Sequence, residues 1–472
     1  MARFGTTSSH SPKLRLHNLW RLFRAPVPAD AQAALDMAWA KIDPKFRTAN
    51  QMFGRHEEGC GATIGVMPRC DFACRGCYLN DTANTTPALP VAAVTAQLDV
   101  LREHLGPWGN VQLTDGEVTL RDTDEVIEIL RYARQIELIP MLMTHGDSFL
   151  RDPGLLARLI TEGGLEEVSL HIDTTQRGRR DKNFKYADTE ADLMPLRARF
   201  ADMVRHVRKQ TGHTLRVAST VTVTADNLPE VADIIRFAQN NADVFRMVAL
   251  LPVAPVGRTV DGIGQIDAST LWNKIERGLH IEASNAGRVT ENQWLMGHPD
   301  CSRFVIGATI RDGDAPGKFV PVSPESSPAD RVLLDTIFEN FAGTTFRPDR
   351  PAEAFARLAG MFVRKPGLFL WQLPRAAWGW LKRLSPEHPI TLAARILCGR
   401  AQVHRFAITA HHFMGPEELA SPIGQERLAH CVFQVAINGK LHSMCEVNAT
   451  GLRENFYASI ARDAHNTLDS AA

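Results

Sequence analysis

The apolar run ATIGVMP, Ala62 to Pro68, passes directly into RCDFACRGCY, Arg69 to Tyr78. A run of strand length that ends in a loop carrying Cys70, Cys74 and Cys77 opens a β–α unit with chemistry at the C-terminal end of its strand. Outward from there, short apolar runs alternate with helical patterns, as a parallel sheet requires, because each of its strands needs a crossover helix. Val91, Val94, Leu98, Leu101 and Leu105 follow at helical spacing. Strands are predicted at 62–68, 110–113, 138–143, 167–172, 215–223 and 243–250, six units in all. The helix before the last of them opens with Asn227 and, three residues on, Glu230, a capping-box pattern.

Six units are too few for a closed eightfold barrel and suit an open, partial one. The fold class is therefore α/β, a partial (β/α)6 barrel over 60–265, with an N-terminal extension over 1–59. A loop-rich insertion or linker is expected over 266–350, where the β–α pattern dissolves and, from Ala315 to Pro351, Pro and Gly become frequent. A C-terminal α+β region over 351–472 is expected to serve as an auxiliary-cluster or substrate module. It contains predicted helices at 352–364 and 375–384 and the run CVFQVAI, closed by the hairpin signal Asn438-Gly439.

Of the 472 residues 44% are hydrophobic and 22% charged, and Lys plus Arg (53) balances Asp plus Glu (53), so no global field recruits nucleic acid. The chain lacks a run of about 18 apolar residues, and its first residues lack a signal-peptide apolar region. The expected place is the cytoplasm. Eight cysteines are too sparse for a disulfide scaffold, and three crowded into eight positions point to metal.

Three thiolates at the spacing of Cys70, Cys74 and Cys77 can face one cuboidal iron–sulfur cluster and leave one iron open for a small molecule. A zinc knuckle would want a fourth ligand nearby, for which only Asp71 and the distant Cys60 offer themselves. Alternation along Val168 to Asp173 puts Ser169, His171 and Asp173 on one strand face, to line a cavity or to sit as satisfied core groups.

The motif and the order of features over about residues 60–260 resemble the radical S-adenosylmethionine (SAM) superfamily, whose partial barrel carries CxxxCxxC after its first strand. The resemblance implies a 4Fe-4S cluster on Cys70, Cys74 and Cys77, with SAM bound at the open iron and cleaved reductively to a carbon-centred radical. It also implies a reductant such as flavodoxin or ferredoxin. The family's Gly-Gly-Glu-Pro turn corresponds to Asp115-Gly116-Glu117-Val118, which carries over contact with the methionine amino group to Gly116 and Glu117. Asp115 either supplements that turn or shifts its loop. The family's aromatic residue before the third cysteine is replaced by Gly76, with Tyr78 just after. Ribose and carboxylate contacts are implied for Ser169, His171 and Asp173, for Ser219 or Thr220, and for Arg246, which either clamps the SAM carboxylate or braces a loop.

Cys60, Cys301, Cys398, Cys431 and Cys445 remain. Cys301, Cys431 and Cys445 are candidates for a second iron–sulfur cluster, with His298 as an additional ligand. The alternative is buried thiols acting as small hydrophobes. Over 351–390, Arg357, Arg364, Lys365, Arg375, Lys382 and Arg383 outnumber Glu353 and Glu387 by four, and Phe355, Phe362, Phe369, Trp371, Trp378 and Trp380 interleave them. Rings among cations are the composition of a membrane-surface segment, and 13–24 has the same character. The expectation is a lipid or other hydrophobic substrate and peripheral contact with the inner membrane face. Radical modification of a peptide or protein, and a non-catalytic metal-binding scaffold, are the alternatives.

Overall fold

The computed structural model describes residues 12–259, 266–279, 293–312, 318–322, 328–347 and 349–471; residues 1–11 of the N-terminal extension and parts of 260–350 lie outside them. Helices α1 (Pro12–Arg24) and α2 (Ala29–Lys41) precede six parallel strands. These are β1 (Cys60–Thr63), β2 (Asn110–Leu113), β3 (Ile139–Thr144), β4 (Glu167–His171), β5 (Arg216–Val223) and β6 (Phe245–Pro252), each paired with the next in chain order. The crossovers are α3 (Val91–Leu105), α4 (Thr123–Gln135), α5 (Asp147–Arg151) with α6 (Pro153–Thr161), α7 (Met194–Thr211) and α8 (Val231–Asn240).

The expected strands form within one or two residues, except the first, which begins at Cys60 and ends at Thr63. Beyond Thr63 side chains replace the sheet ladder: the Gln97 amide donates to the Ile64 carbonyl and accepts from its N–H, both at 2.9 Å, and the Gly65 N–H donates to Asp115.

The region expected to be loop-rich is ordered where it is described. It contains α9 (Ala268–Leu279), β7 (Trp294–Met296), β8 (Ser302–Asp312), β9 (Lys318–Pro321) and α10 (Pro328–Phe341). Then come α11 (Pro351–Arg364), α12 (Leu373–Leu384), α13 (Pro389–Leu397), β10 (Ala401–His411), α14 (Pro416–Ala420), α15 (Pro422–Ala429), β11 (Phe433–Ile437), β12 (Lys440–Ser443), α16 (Met444–Ala449) and α17 (Leu452–Ala471).

Among the described residues, all twelve strands share one sheet. β10 adds to β6 in parallel and β11 adds to β1 in parallel, with Cys60 opposite Phe433, so the parallel run is β11-β1-β2-β3-β4-β5-β6-β10. The C-terminal region thus extends both edges of the half-barrel. The Asn438-Gly439 hairpin forms as expected, with φ of 49° and 74°, the left-handed pair of a tight β-turn.

The Asn227 capping box does not form. Asn227 is buried, and its side chain accepts from the Thr224 N–H and donates to Glu190 and the Thr222 carbonyl. Glu230 accepts instead from the Ala191 N–H at 3.0 Å. A buried carboxylate that also pairs with Arg197 outcompetes a helix end for that amide.

Helices α1, α2 and α10–α13 cover the strand-start end of the sheet. Trp108, just before β2, meets the guanidinium groups of Arg347 and Arg350, and Arg347 pairs with Glu166, just before β4. Leu384 and Leu392 pack on Ala401, the first residue of β10. The opposite end, where the strands finish, is left for the site.

Candidate active site

Cys70, Cys74 and Cys77 follow the end of β1 and line a cavity of about 200 Å³ that opens to solvent. Its walls come from the βα loops and strand ends: Gly116 and Glu117 after β2, Thr144 and His145 at β3, His171 of β4, Thr220 and Thr222 of β5, Leu251 and Pro252 at the end of β6, and Val253, Ala254, Val256 and Arg258 after it. Neighbouring loops grip the cysteine loop. The Ala73 and Arg75 N–H groups donate to Arg177 and Thr175 carbonyls at 2.7 and 2.9 Å, and the Arg258 N–H donates to those of Cys77 and Leu79 at 2.8 and 2.9 Å. A side chain at Gly257, whose φ is 60°, would collide with the Tyr78 carbonyl.

Arg258 also aims its Nη2 at Cys77 Sγ, 3.3 Å away. Burial pushes the Cys70 thiol up to about 12 and holds Cys74 well above its ordinary value, each reinforced by negative neighbours. Such thiols become ligands only when a cation displaces their protons. No other cysteine lines this cavity. Among the described residues, Cys70, Asp71 and His145 alone bring ligand atoms close enough to share a single ion. The three sulfurs, which do not, fit a cuboid that gives each its own iron and leaves one open.

Asp115 and Gly116 both take left-handed backbone, φ 79° and 49°. At Gly116 a Cβ would strike the carbonyls of Met67, Pro68 and Arg69, so only glycine lets the β2 turn lie against the cysteine loop. Asp115 does not reach the cavity. It is buried and ion-paired with Arg453 of α17, so the expectation that it supplements a cofactor contact is corrected: it anchors the loop.

Glu117 lines the cavity, yet its oxygens are engaged by the Thr119 N–H and hydroxyl, the Thr144 hydroxyl at 2.6 Å and the His145 N–H at 2.9 Å. His145 stacks on Phe72 with centroids 3.7 Å apart and bonds Asp71 at 2.9 Å through Nε2, while its Nδ1 accepts from the Asp147 N–H. The His145 hydrogen bond is the chief cause that lowers the Asp71 carboxyl to about 2.

On β4, alternation brings Ser169 and His171 to the barrel interior. Ser169 bonds Thr220 at 2.6 Å, and His171 lines the cavity and bonds Thr222 at 3.1 Å. Asp173, also expected on this face, is buried behind it; it accepts from the Thr175 and Thr222 N–H groups and holds His171 Nε2 at 2.7 Å. Ser219 is buried and absent from the cavity lining.

Arg246 is a further correction. It sits at the strand-start end of β6, where burial and then Arg216 and Arg405 lower its pKa, far from the cysteine loop. Arg258 and His145 were missed as individual side chains. The position of THGD (Thr144 to Asp147) at a strand end was the available signal for His145; nothing local marked Arg258.

A second cavity adjoins the first, and Gln112, Met143, Thr220, Leu251, Phe433 and Met444 line both. Cys301, Cys431 and Cys445 face it, joined by Cys60, which sequence reasoning left out. Cys398 is exposed, next to the end of α13. His298, expected as an additional ligand, bonds Glu426 at 3.2 Å and does not line the cavity.

The aromatic and basic stretch lies at the strand-start end, opposite the cysteine loop. Phe355, Phe362, Trp371 and Trp378 are exposed, while Trp380 packs beside Leu384. Arg357 and Arg364 are spent on carbonyls of Pro26 and Phe23. Among the described residues no helix is long and apolar enough to cross a membrane.

Residues 64–238 match the family model described as the radical SAM superfamily. A curated protein, 7,8-dihydro-6-hydroxymethylpterin dimethyltransferase of Methanocaldococcus jannaschii, is 26% identical over 198 residues, 42% of this chain and 37% of that protein. The chain thus aligns with little more than a third of that relative's length. Among solved structures, native anSMEcpe with bound AdoMet and Kp18Cys peptide aligns with a TM-score of 0.34 at 12% identity, covering 46% of this chain and 57% of that one. Methylornithine synthase aligns with a TM-score of 0.31 at 16% identity, covering 57% and 68%. Likenesses this slight carry no structural argument.

Proposed function

Because the chain is a member of the radical SAM superfamily, we propose that it cleaves SAM reductively at a 4Fe-4S cluster on Cys70, Cys74 and Cys77 and directs the radical at an unactivated carbon of a hydrophobic substrate. The observation that carries this is one cavity lined both by three thiols and by Leu251, Val253, Val256, Phe413, Phe433 and Met444. When bound, the cluster supplies one electron to the sulfonium of SAM. The chain's own residues position the partners. Gly116 lets the β2 turn approach the cysteine loop, Glu117 fixes that turn from within, and His171, held by Asp173 and Thr222, joins Gln112, Gln176 and Arg258 as polar groups in a chamber that also carries apolar side chains.

Apolar lining excludes water and favours a substrate that is itself apolar near the reacting carbon. A reductant of the flavodoxin or ferredoxin class supplies the electron. The exposed face of α11–α13 supports peripheral attachment to an anionic membrane. Because that face lies opposite the cysteine loop, attachment there would leave the cavity pointing away from the bilayer, so support for a hydrophobic substrate rests on the cavity lining. The dimethyltransferase relative supports a second reading, methyl transfer, over the 42% of the chain that aligns.

Anaerobically reconstituted protein given dithionite and SAM tests these readings. Release of 5′-deoxyadenosine with methionine supports radical cleavage, and S-adenosylhomocysteine supports methyl transfer. Intact SAM beside a fully loaded cluster would overturn both and leave a scaffold.

A further inference from the structure

We propose that Cys60, Cys301, Cys431 and Cys445 hold a second iron–sulfur cluster, ligated entirely by protein, in the cavity behind the first. The four thiols come from four separate parts of the chain and face one void. Cys60 opens β1, and Cys431 lies two residues before β11; parallel pairing sets Cys60 opposite Phe433, two residues on from Cys431, with the Cys60 N–H donating to the Val432 carbonyl at 3.1 Å. Cys301 precedes β8, where its N–H donates to the His298 carbonyl at 3.0 Å and its own carbonyl accepts from the His412 N–H at 2.9 Å. Cys445, on α16, accepts from the Met414 N–H at 3.5 Å.

Each of these backbones is fixed by pairing or by a helix, so the convergence is built into the fold. Native interiors are packed with few voids larger than a water molecule, and a sizeable space ringed by four soft donors differs from cysteines packed as small hydrophobes. No pair forms a disulfide. The four sulfurs are not gathered tightly enough to share one ion, which sets them apart from a tetrahedral zinc site. A cuboid takes one sulfur per iron, and four protein ligands leave no iron open.

The surroundings suit a cluster with anionic ligands. Arg427, buried, donates Nε to Cys301 Sγ at 3.3 Å, and Lys41 donates to the Cys431 carbonyl at 2.6 Å. Hydrogen bonds to sulfur and nearby cations offset the charge of such ligands and tune potential. Burial raises the Cys60 and Cys445 thiols to about 12, so they charge only with a cation present. The shared wall puts this site next to the proposed reaction chamber, and its full ligation suits a fixed one-electron carrier.

The assignment does not rest on the reaction proposed above, and iron and sulfide content of the full chain, reconstituted anaerobically, tests it. Wild type is expected to hold about eight irons, and the Cys70→Ala/Cys74→Ala/Cys77→Ala variant about four with matching sulfide, since each cuboid holds four. The variant's reduced cluster should give an EPR signal that does not respond to SAM. This variant leaves the second site untouched, so iron at background in a protein with native circular dichroism would overturn the proposal. So would one zinc in place of iron. Equal iron in wild type and variant would instead strike at the Cys70 triplet. Cys60→Ser/Cys445→Ser should keep the SAM-responsive signal while losing about half the iron.

Discussion

At the scale of single residues, the site depends on side chains whose polar atoms are committed to neighbouring protein groups. Glu117 is fully buried and has acceptor oxygens committed to two hydroxyls and two backbone N–H groups. Glu117→Ala leaves those donors without an acceptor, at about 1–3 kcal/mol for buried groups so stranded. The expected outcome is a lower denaturant midpoint, weaker SAM binding by calorimetric titration, and unchanged iron content, because none of the cluster's thiols depends on this carboxylate. Unchanged SAM affinity would remove the turn from the binding site. Alternation on β4 was legible in sequence and brought Ser169 and His171 inside correctly. What alternation could not show was depth. Asp173 shares the pattern but lies past the strand's end, where backbone N–H groups of Thr175 and Thr222 claim it. Arg246 failed for a related reason: strand membership was right, but it stands at the end where the chain enters the sheet.

At the scale of elements, the cysteine loop is clamped from both sides, by the loop after β6 and by α17. Arg453 of α17 pairs with Asp115, packs its guanidinium 4.8 Å from the Tyr78 ring centroid, and is itself buried. Removing one partner of a buried pair strands a charge, at about 3–5 kcal/mol. Arg453→Met should therefore lower stability in chemical denaturation by that order, and adding Asp115→Asn should restore part of the loss. A variant as stable as wild type would show that the pair is not the anchor. At the other clamp, Gly257→Ala forces a Cβ into the Tyr78 carbonyl at a left-handed φ. It is expected to retain circular dichroism and thermal midpoint to within a few degrees while losing about half of its iron, the share held by the Cys70 loop; full iron content would mean the loop yields. The six parallel strands were legible because each repeats an apolar run and a helical period. Cys60 was not, since its distance from Cys431 in sequence hides a parallel pairing that only the folded sheet reveals. The 266–350 region looked like linker because Pro and Gly are local signals, whereas β8 is fixed by its long antiparallel partner β10.

At the scale of the whole molecule, the two ends of the barrel have different characters, and the proposed membrane contact would lie apart from the chemistry. The strand-finish end carries the thiols and the chamber. The strand-start end carries α1 and α11–α13, with Trp20, Phe355, Leu370 and Trp371 more than half exposed and with Lys365, Arg375 and Lys382 exposed among them. Monomeric surfaces seldom leave so much apolar area open without use. Seating two indole rings in a headgroup layer contributes a few kcal/mol at about 25 cal/mol per Å², and each cation near anionic lipid adds roughly 1 kcal/mol. Together these support reversible attachment that salt weakens, because the cationic share is screened over about 10 Å at 0.1 M ionic strength. The protein is expected to co-sediment with anionic liposomes at low salt and to release as salt rises. Trp371→Ala/Trp378→Ala should abolish co-sedimentation while keeping wild-type iron, since neither ring approaches a cysteine cavity. Trp380 is a poor target for the same test, because it packs beside Leu384 and its loss would disturb the fold. Wild-type protein that stays in the supernatant at every salt concentration would exclude a membrane for this face, while leaving the cavity and its hydrophobic lining to be judged on SAM cleavage alone.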